Sequence, residues 1–154
     1  MYAYSYNQDS DPGEIIGYAF TDVDYDGYSE LVIGEVGQKE IYDMFTQVDG
    51  EIHHIISGGE RDRWYFTGNE YRISGLKNEA AGGAGYTMNS FYNLTSGEDL
   101  QLQTSFVYDS YTYPEQPFRI EYSYGDGDAV SEEEWTTLMG NYGETIAPDF
   151  QPLK

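Results

Sequence analysis

Residues 22–30 of this chain are Asp22-Val23-Asp24-Tyr25-Asp26-Gly27-Tyr28-Ser29-Glu30. Three aspartates alternate with other residues, a glycine follows them, and a glutamate ends the run. The segments on either side, Ile15 to Phe20 and Leu31 to Gly34, are rich in β-branched and aromatic residues, which favour strands over helices. The stretch therefore predicts two strands, residues 14–21 and 30–36, joined by an acidic loop.

The acidic loop has a spacing that suits calcium. Ca²⁺ takes six to eight oxygen ligands at about 2.3–2.6 Å, and alternate side chains of a tight loop can supply them. Gly27 permits the sharp turn, because glycine reaches backbone conformations that cost other residues more. The predicted ligands are Asp22, Asp24, Asp26, the backbone carbonyl of Tyr28, and Glu30, which would bind directly or through water.

The loop admits three other interpretations. A regular EF-hand needs a glutamate at position twelve, and that position is Ile33. Mg²⁺ is disfavoured, because it prefers a tight octahedral shell and keeps several waters. The remaining alternative is an Asp-rich turn that serves only solubility. The predicted cofactor is therefore one structural Ca²⁺.

Length and composition exclude several classes of protein. The 154 residues predict a single domain, 1–154. With 39% apolar and 17% aromatic residues the chain is not a disordered acidic tail. Its 7 basic and 28 acidic residues give a net charge of −21. Nucleic-acid binding is therefore not expected, because it needs a basic surface. No apolar run is long enough to predict a transmembrane segment.

The order of predicted elements indicates a mainly β (α+β) protein. An irregular segment, 1–13, precedes a β-rich body, 14–125, and a tail, 148–154, is predicted to be irregular. Successive hairpins, one of them turning at Asp49-Gly50, predict an antiparallel meander of about eight to nine strands. No period of 40–60 residues repeats, so a full propeller is not expected.

One C-terminal amphipathic helix is predicted over residues 131–142. Ser131 to Glu134 forms a capping box, in which the serine caps the first turn and Glu134 stands at the third helical position. The apolar residues that follow recur at helical spacing and form one stripe, which should pack on the sheet. They are Trp135, Leu138, Met139 and Tyr142. Gly143 is expected to end the helix.

The loop with its flanks, Phe20-x-Asp22-x-Asp24-x-Asp26-Gly27-x-x-Glu30-Leu31-x-x-Gly34, resembles the calcium loop of FG-GAP (VCBS-type) repeats. In those repeats a strand–loop–strand hairpin carries Asp ligands at positions one, three, five and nine, and Glu30 stands where the family more usually has Asp. Further along the chain come a strand, Ile41-Tyr42-Asp43-Met44-Phe45, a segment Ser57-Gly58-Gly59 and a helix start at Ser131 to Trp135. With these features, residues 15–142 are also similar to uncharacterised secreted or lipoprotein domains of Gram-positive, often gut-dwelling, bacteria. The resemblance implies a calcium-stabilised fold and an extracellular setting, but no reaction.

Five further residues are candidates for ligand binding: Arg61, Arg63, Arg72, Tyr111 and Tyr113. Guanidinium groups could hold a carboxylate or an acidic sugar, and exposed tyrosines could stack on sugar rings. The alternatives are ion pairs with the many carboxylates of the chain and tyrosines that cover the sheet.

The predicted function is that of a non-enzymatic extracellular or cell-surface domain, used for adhesion or ligand binding, with a surface protein or a glycan as partner. A signal or lipoprotein segment would then lie outside this sequence, since Met1-Tyr2-Ala3-Tyr4 does not begin a signal peptide. The alternatives are a secreted polysaccharide-acting enzyme, which would need two carboxylates facing across a cleft, and an accessory domain of a larger surface protein.

Overall fold

The structure is a computed structural model that describes residues 15–69, 72–83, 85–94, 100–122 and 125–153. The predicted irregular segment 1–13 lies outside these residues. Twelve strands and one helix occur in the described chain. They are β1 Ile16–Thr21, β2 Glu30–Glu35, β3 Glu40–Val48, β4 Glu51–Ser57, β5 Asp62–Asn69, β6 Arg72–Ala81, β7 Tyr86–Leu94, β8 Leu100–Asp109, β9 Phe118–Tyr122, β10 Gly125–Ala129, α1 Glu132–Gly140, β11 Glu144–Ile146 and β12 Gln151–Pro152.

The strands form one antiparallel sheet in the order β10-β9-β8-β7-β6-β5-β3-β2-β1-β12. Strands β4 and β11 branch from this path, by pairing with β3 and β5 respectively. Within the described residues the sheet is not closed. The prediction of a mainly antiparallel β protein with a C-terminal helix is therefore confirmed.

Strand β3 pairs with two different strands, β5 and β4, along one of its edges. Glu40 and Ile41 pair with β5, whereas Asp43 to Val48 pair with β4. The β3–β4 turn is Asp49-Gly50, with φ of 51° and 82°. Positive φ at both central residues is what a two-residue hairpin turn of matching twist requires. This turn confirms the predicted Asp49-Gly50 hairpin.

The larger core cluster lies between side chains of β1 to β4 and side chains of β5 and β6. Its buried members are Ala19, Val23, Val32, Ile41, Met44, Ile56, Phe66, Leu76 and Phe150. Val23 belongs to the acidic loop, so the base of that loop is anchored in the core.

The prediction of an irregular tail over 148–154 is wrong in part. Gln151 and Pro152 form β12 on the outer edge of β1, and Phe150 is buried. A Cβ at Gly34 would overlap the ring of Phe150, so the glycine leaves the space in which this ring lies. A strand of only two residues gives too little local signal to be predicted from the sequence. The space in which Phe150 is buried is formed by β1 and β2, which are distant in the chain.

Helix α1 covers a second cluster, formed by Phe91, Phe106 and Ile120. The predicted apolar stripe packs against it, and Ser131 caps the helix by accepting a hydrogen bond from the N–H of Glu134 at 3.1 Å. The helix ends at Gly140 rather than near Gly143. The N–H of Asn141 donates to the carbonyl of Leu138, a three-residue turn that tightens the end of the helix.

The described residues contain twelve strands, more than the predicted eight to nine, and the short strands β10, β11 and β12 account for the difference. The last two are only 3 and 2 residues long and pair with β5 and β1, which are distant in the chain. The pattern Gly125-Asp126-Gly127-Asp128-Ala129 of β10 has little β propensity, since Gly and Asp are depleted in strands. Pairing with β9, rather than local preference, makes these residues extended.

Candidate metal site

The hairpin of β1 and β2 brings four carboxylates together. Asp22, Asp24, Asp26 and Glu30 each offer an oxygen, and these four atoms lie within 4.8 Å of one another. Two ligands on opposite sides of a Ca²⁺ ion are about 5 Å apart, which is twice the calcium–oxygen distance. The four predicted carboxylate ligands therefore form an acidic group that could hold a metal ion.

Hydrogen bonds from the loop backbone fix the positions of the aspartates. Asp22 accepts from the N–H of Gly27 at 2.8 Å and from the N–H of Asp26 at 3.1 Å. Asp26 accepts from the N–H of Tyr28 at 2.8 Å. Gly27 has φ of 92°, which confirms the need for glycine at this turn. A carboxylate has about four acceptor positions, so these bonds leave oxygen lone pairs for an ion.

Glu30 is the first residue of β2 and is 1% exposed. Its Oε2 accepts the N–H of Val23 at 2.7 Å, and its Oε1 accepts the hydroxyl of Thr46 at 3.2 Å. The longer side chain of glutamate thus reaches back to the start of the loop and joins it to β3. Thr46 was not predicted, because it lies sixteen residues further along the chain and has no part in the loop pattern.

Two of the four carboxylates, Asp24 and Glu30, have raised pKa values. Burial raises the pKa of Glu30 to about 7, and the charge of Asp24 adds to the effect. Burial also raises the pKa of Asp24 to about 6, and the nearby charge of Asp26 adds to it. Neighbouring like charge and loss of solvent both disfavour the ionised form. A bound cation would offset both effects by supplying positive charge between the carboxylates.

Asp24 gives an independent reason to expect a ligand. Among the described residues its Oδ2 is a buried oxygen without a hydrogen-bond partner, whereas its Oδ1 accepts from Asp26. Buried polar atoms are nearly always satisfied, so an exception needs an explanation such as an ion or a water. The residues present therefore fit a hard cation that binds oxygen.

Tyr28 was predicted to contribute its backbone carbonyl. Its N–H is used by Asp26 and its side chain is exposed, so the ring has no part in the acidic group. The carbonyl of Tyr28 as a ligand stays a prediction.

The three candidate arginines do not form one site. Arg61 and Arg63 lie at the start of the β5–β6 hairpin beside a cleft that also contains Glu60 and Glu79. Arg72 begins β6 and pairs with Asn69 at the opposite end of β5. At about 3.3 Å per residue of strand the two groups are roughly 20 Å apart.

The candidate tyrosines lie in the loop between β8 and β9. Tyr111 is 88% exposed, and the guanidinium of Arg119 lies 4.0 Å from the centre of the Tyr113 ring. Neither tyrosine lines the cleft to which Arg72 contributes. The five candidates therefore occupy three separate regions, and their role in ligand binding stays a prediction.

Comparisons of this chain with protein-family models, with curated proteins and with solved structures found no match. The likeness to FG-GAP repeats therefore remains a prediction from residues 20–34. Among the described residues, no helix has both the length and the apolar composition needed to cross a membrane.

Proposed function

We propose that this protein is a non-enzymatic extracellular or cell-surface domain, stabilised by one Ca²⁺ in the 22–30 loop and used for adhesion or ligand binding. The observation that carries the proposal is the acidic group of Asp22, Asp24, Asp26 and Glu30, whose ligand atoms lie within 4.8 Å of one another. The partnerless buried oxygen of Asp24 supports it.

The position of the acidic group supports a structural role for the ion. The loop joins β1 to β2, its Val23 lies in the core, and its Glu30 is bonded to β3. An ion held here would connect the β1–β2 hairpin to β3. It would therefore stabilise the folded chain, because a ligand that binds only the folded state adds RT ln(1 + [L]/Kd) to its stability.

The chemistry of the site also supports an extracellular setting. Extracellular calcium modules work with Kd values of about 10⁻⁴–10⁻³ M, which suit the millimolar calcium outside cells. A net charge of −21 favours the solubility of such a domain. Among the described residues, the one group of three or more acidic or histidine side chains within ligand distance of one another is the group that the ion would occupy, which favours binding over hydrolysis.

Thermal unfolding with calcium, with magnesium and with a chelator, at one ionic strength, tests the metal site. We expect calcium to raise the melting temperature and magnesium at the same concentration to raise it much less. Titration should give a Kd within the extracellular range. Equal curves in calcium and chelator would reduce the loop to a solvated turn, and a submicromolar Kd would remove the argument for an extracellular setting.

A further inference from the structure

A cleft of about 520 Å³ opens beside the metal loop. It is lined by residues of β1, β5, β11 and the beginning of β6, and by the segment that leads into β12. Its volume lies in the range of about 300–1,000 Å³ that small-molecule sites occupy. The cleft is distinct from the acidic group, since none of the four carboxylates lines it.

One wall of the cleft carries aromatic rings. Tyr18 and Phe20 lie on the same face of β1, because side chains two apart in a strand point the same way. Their rings meet edge to face with centres 5.9 Å apart, and Phe20 is 66% exposed. An exposed ring held by a second ring offers a flat apolar surface. The face of a sugar ring that carries axial C–H groups fits such a surface.

The remaining walls carry polar groups of both signs. Arg72 supplies a cation, Asp149 an anion, and Gln151 an amide. Among the described residues Arg72 forms no ion pair, and its guanidinium lies over the ring of Tyr25. Paired donors and acceptors suit a ligand rich in hydroxyl groups. A polyanion is disfavoured, because the whole chain carries −21.

Tyr25 connects the metal loop to this cleft. Its hydroxyl donates to the carbonyl of Ile73 at 2.8 Å, and the guanidinium of Arg72 lies 4.3 Å from the centre of its ring. Tyr25 stands between Asp24 and Asp26 and has φ of 58°, a left-handed conformation that non-glycine residues rarely adopt. An ion that holds Asp24 and Asp26 in place would therefore also hold the ring of Tyr25. That ring in turn positions Arg72.

We propose that the cleft between β1, β6 and β12 binds a neutral oligosaccharide, with Phe20 as the stacking platform and Arg72 as a hydrogen-bond donor to hydroxyl groups. Occupation of the metal loop strengthens this binding through Tyr25. The location of the sugar site stands by itself, whereas its dependence on calcium rests on the proposed metal site.

Calorimetric titration of the whole chain in calcium tests the sugar site. The probes are maltotriose, cellotriose, mannotriose and chitotriose, with 3′-sialyllactose as the anionic comparison. We expect at least one neutral trisaccharide to bind, and both Phe20→Ala and Arg72→Ala to weaken it at least fivefold. The matched control is Ile52→Ala, which removes another exposed apolar side chain outside the cleft and should change the affinity less than twofold.

A second set of titrations, in chelator, tests the connection through Tyr25. We expect the affinity to fall at least threefold in wild type, and Tyr25→Phe to reduce this dependence on calcium because the bond to Ile73 is lost. Equal affinity with and without calcium would overturn the connection but leave the sugar site. A calcium-stabilised protein that binds none of the neutral probes, binds only the sialylated one, or binds equally well after Phe20→Ala would overturn the sugar site and leave the metal site intact.

Discussion

Replacing Asp24 with Asn should change the stability of the protein in opposite directions with and without calcium. The substitution keeps the shape of the side chain and an oxygen that can accept the N–H of Asp26. It removes the negative charge at the carboxylate whose second oxygen is buried without a partner. Asp24 therefore has different effects when the loop is empty and when it holds an ion.

Without calcium, Asp24→Asn should stabilise the protein. The pKa of Asp24 is raised to about 6, so at pH 8 its ionised form is held against burial and the charge of Asp26. After allowance for screening by solvent, relief of this charge is worth roughly 1–2 kcal/mol. For a domain of this size each kcal/mol corresponds to about 2–4 °C, so the variant should melt about 2–8 °C higher than wild type in chelator.

With calcium, wild type should become more stable than the Asp24→Asn variant. At a hundred times Kd the ion adds roughly 2.7 kcal/mol to wild type, a rise of about 5–11 °C, which exceeds the gain of the variant in chelator. The variant lacks one of four carboxylates and should show little rise. Calorimetry at pH 8, in chelator and in calcium, measures both effects.

The control for Asp24→Asn is Asp128→Asn, which makes the same change of net charge at an exposed residue of β10, outside the acidic group. It should leave the calcium response unchanged. If Asp24→Asn kept the whole calcium-dependent rise, Asp24 would not be a ligand. If the variant were less stable than wild type in chelator, the repulsion inferred within the loop would be wrong.

Three further predictions concern pH, the tail and the helix. In chelator the free energy of unfolding should fall as pH rises from about 4 to 7. The reason is that the raised pKa values of Asp24 and Glu30 make the folded chain bind more protons than the unfolded chain in that window. Urea titrations at several pH values would measure this fall, and a rise over the window would contradict it. Phe150→Ala should cost about 3–5 kcal/mol in the same assay, since this buried ring fills the space beside β2, and a loss below 1 kcal/mol would mean that the tail is not anchored. Ser131→Ala should cost about 1 kcal/mol by removing the helix cap, whereas Ser131→Asp, which can still cap, should be close to wild type.

The sequence by itself determined the elements whose signals are local. The alternation of aspartates with Gly27 predicted the acidic loop, Asp49-Gly50 predicted a hairpin turn, and Ser131 predicted the start of the helix. In each case the backbone geometry or the charge pattern is produced by residues within one turn or one loop. The four carboxylates of the acidic group could be named for the same reason, since they lie within nine residues.

Only the tertiary structure decided which distant residues meet. Thr46 contacts Glu30 because β3 lies beside β2, and Arg72 contacts Tyr25 because β6 begins beside the metal loop. Phe150 becomes a core residue because β12 pairs with β1. These contacts depend on strand order and register, which cost chain entropy to form and are fixed by the sum of packing across the sheet. No short stretch of sequence contains that sum.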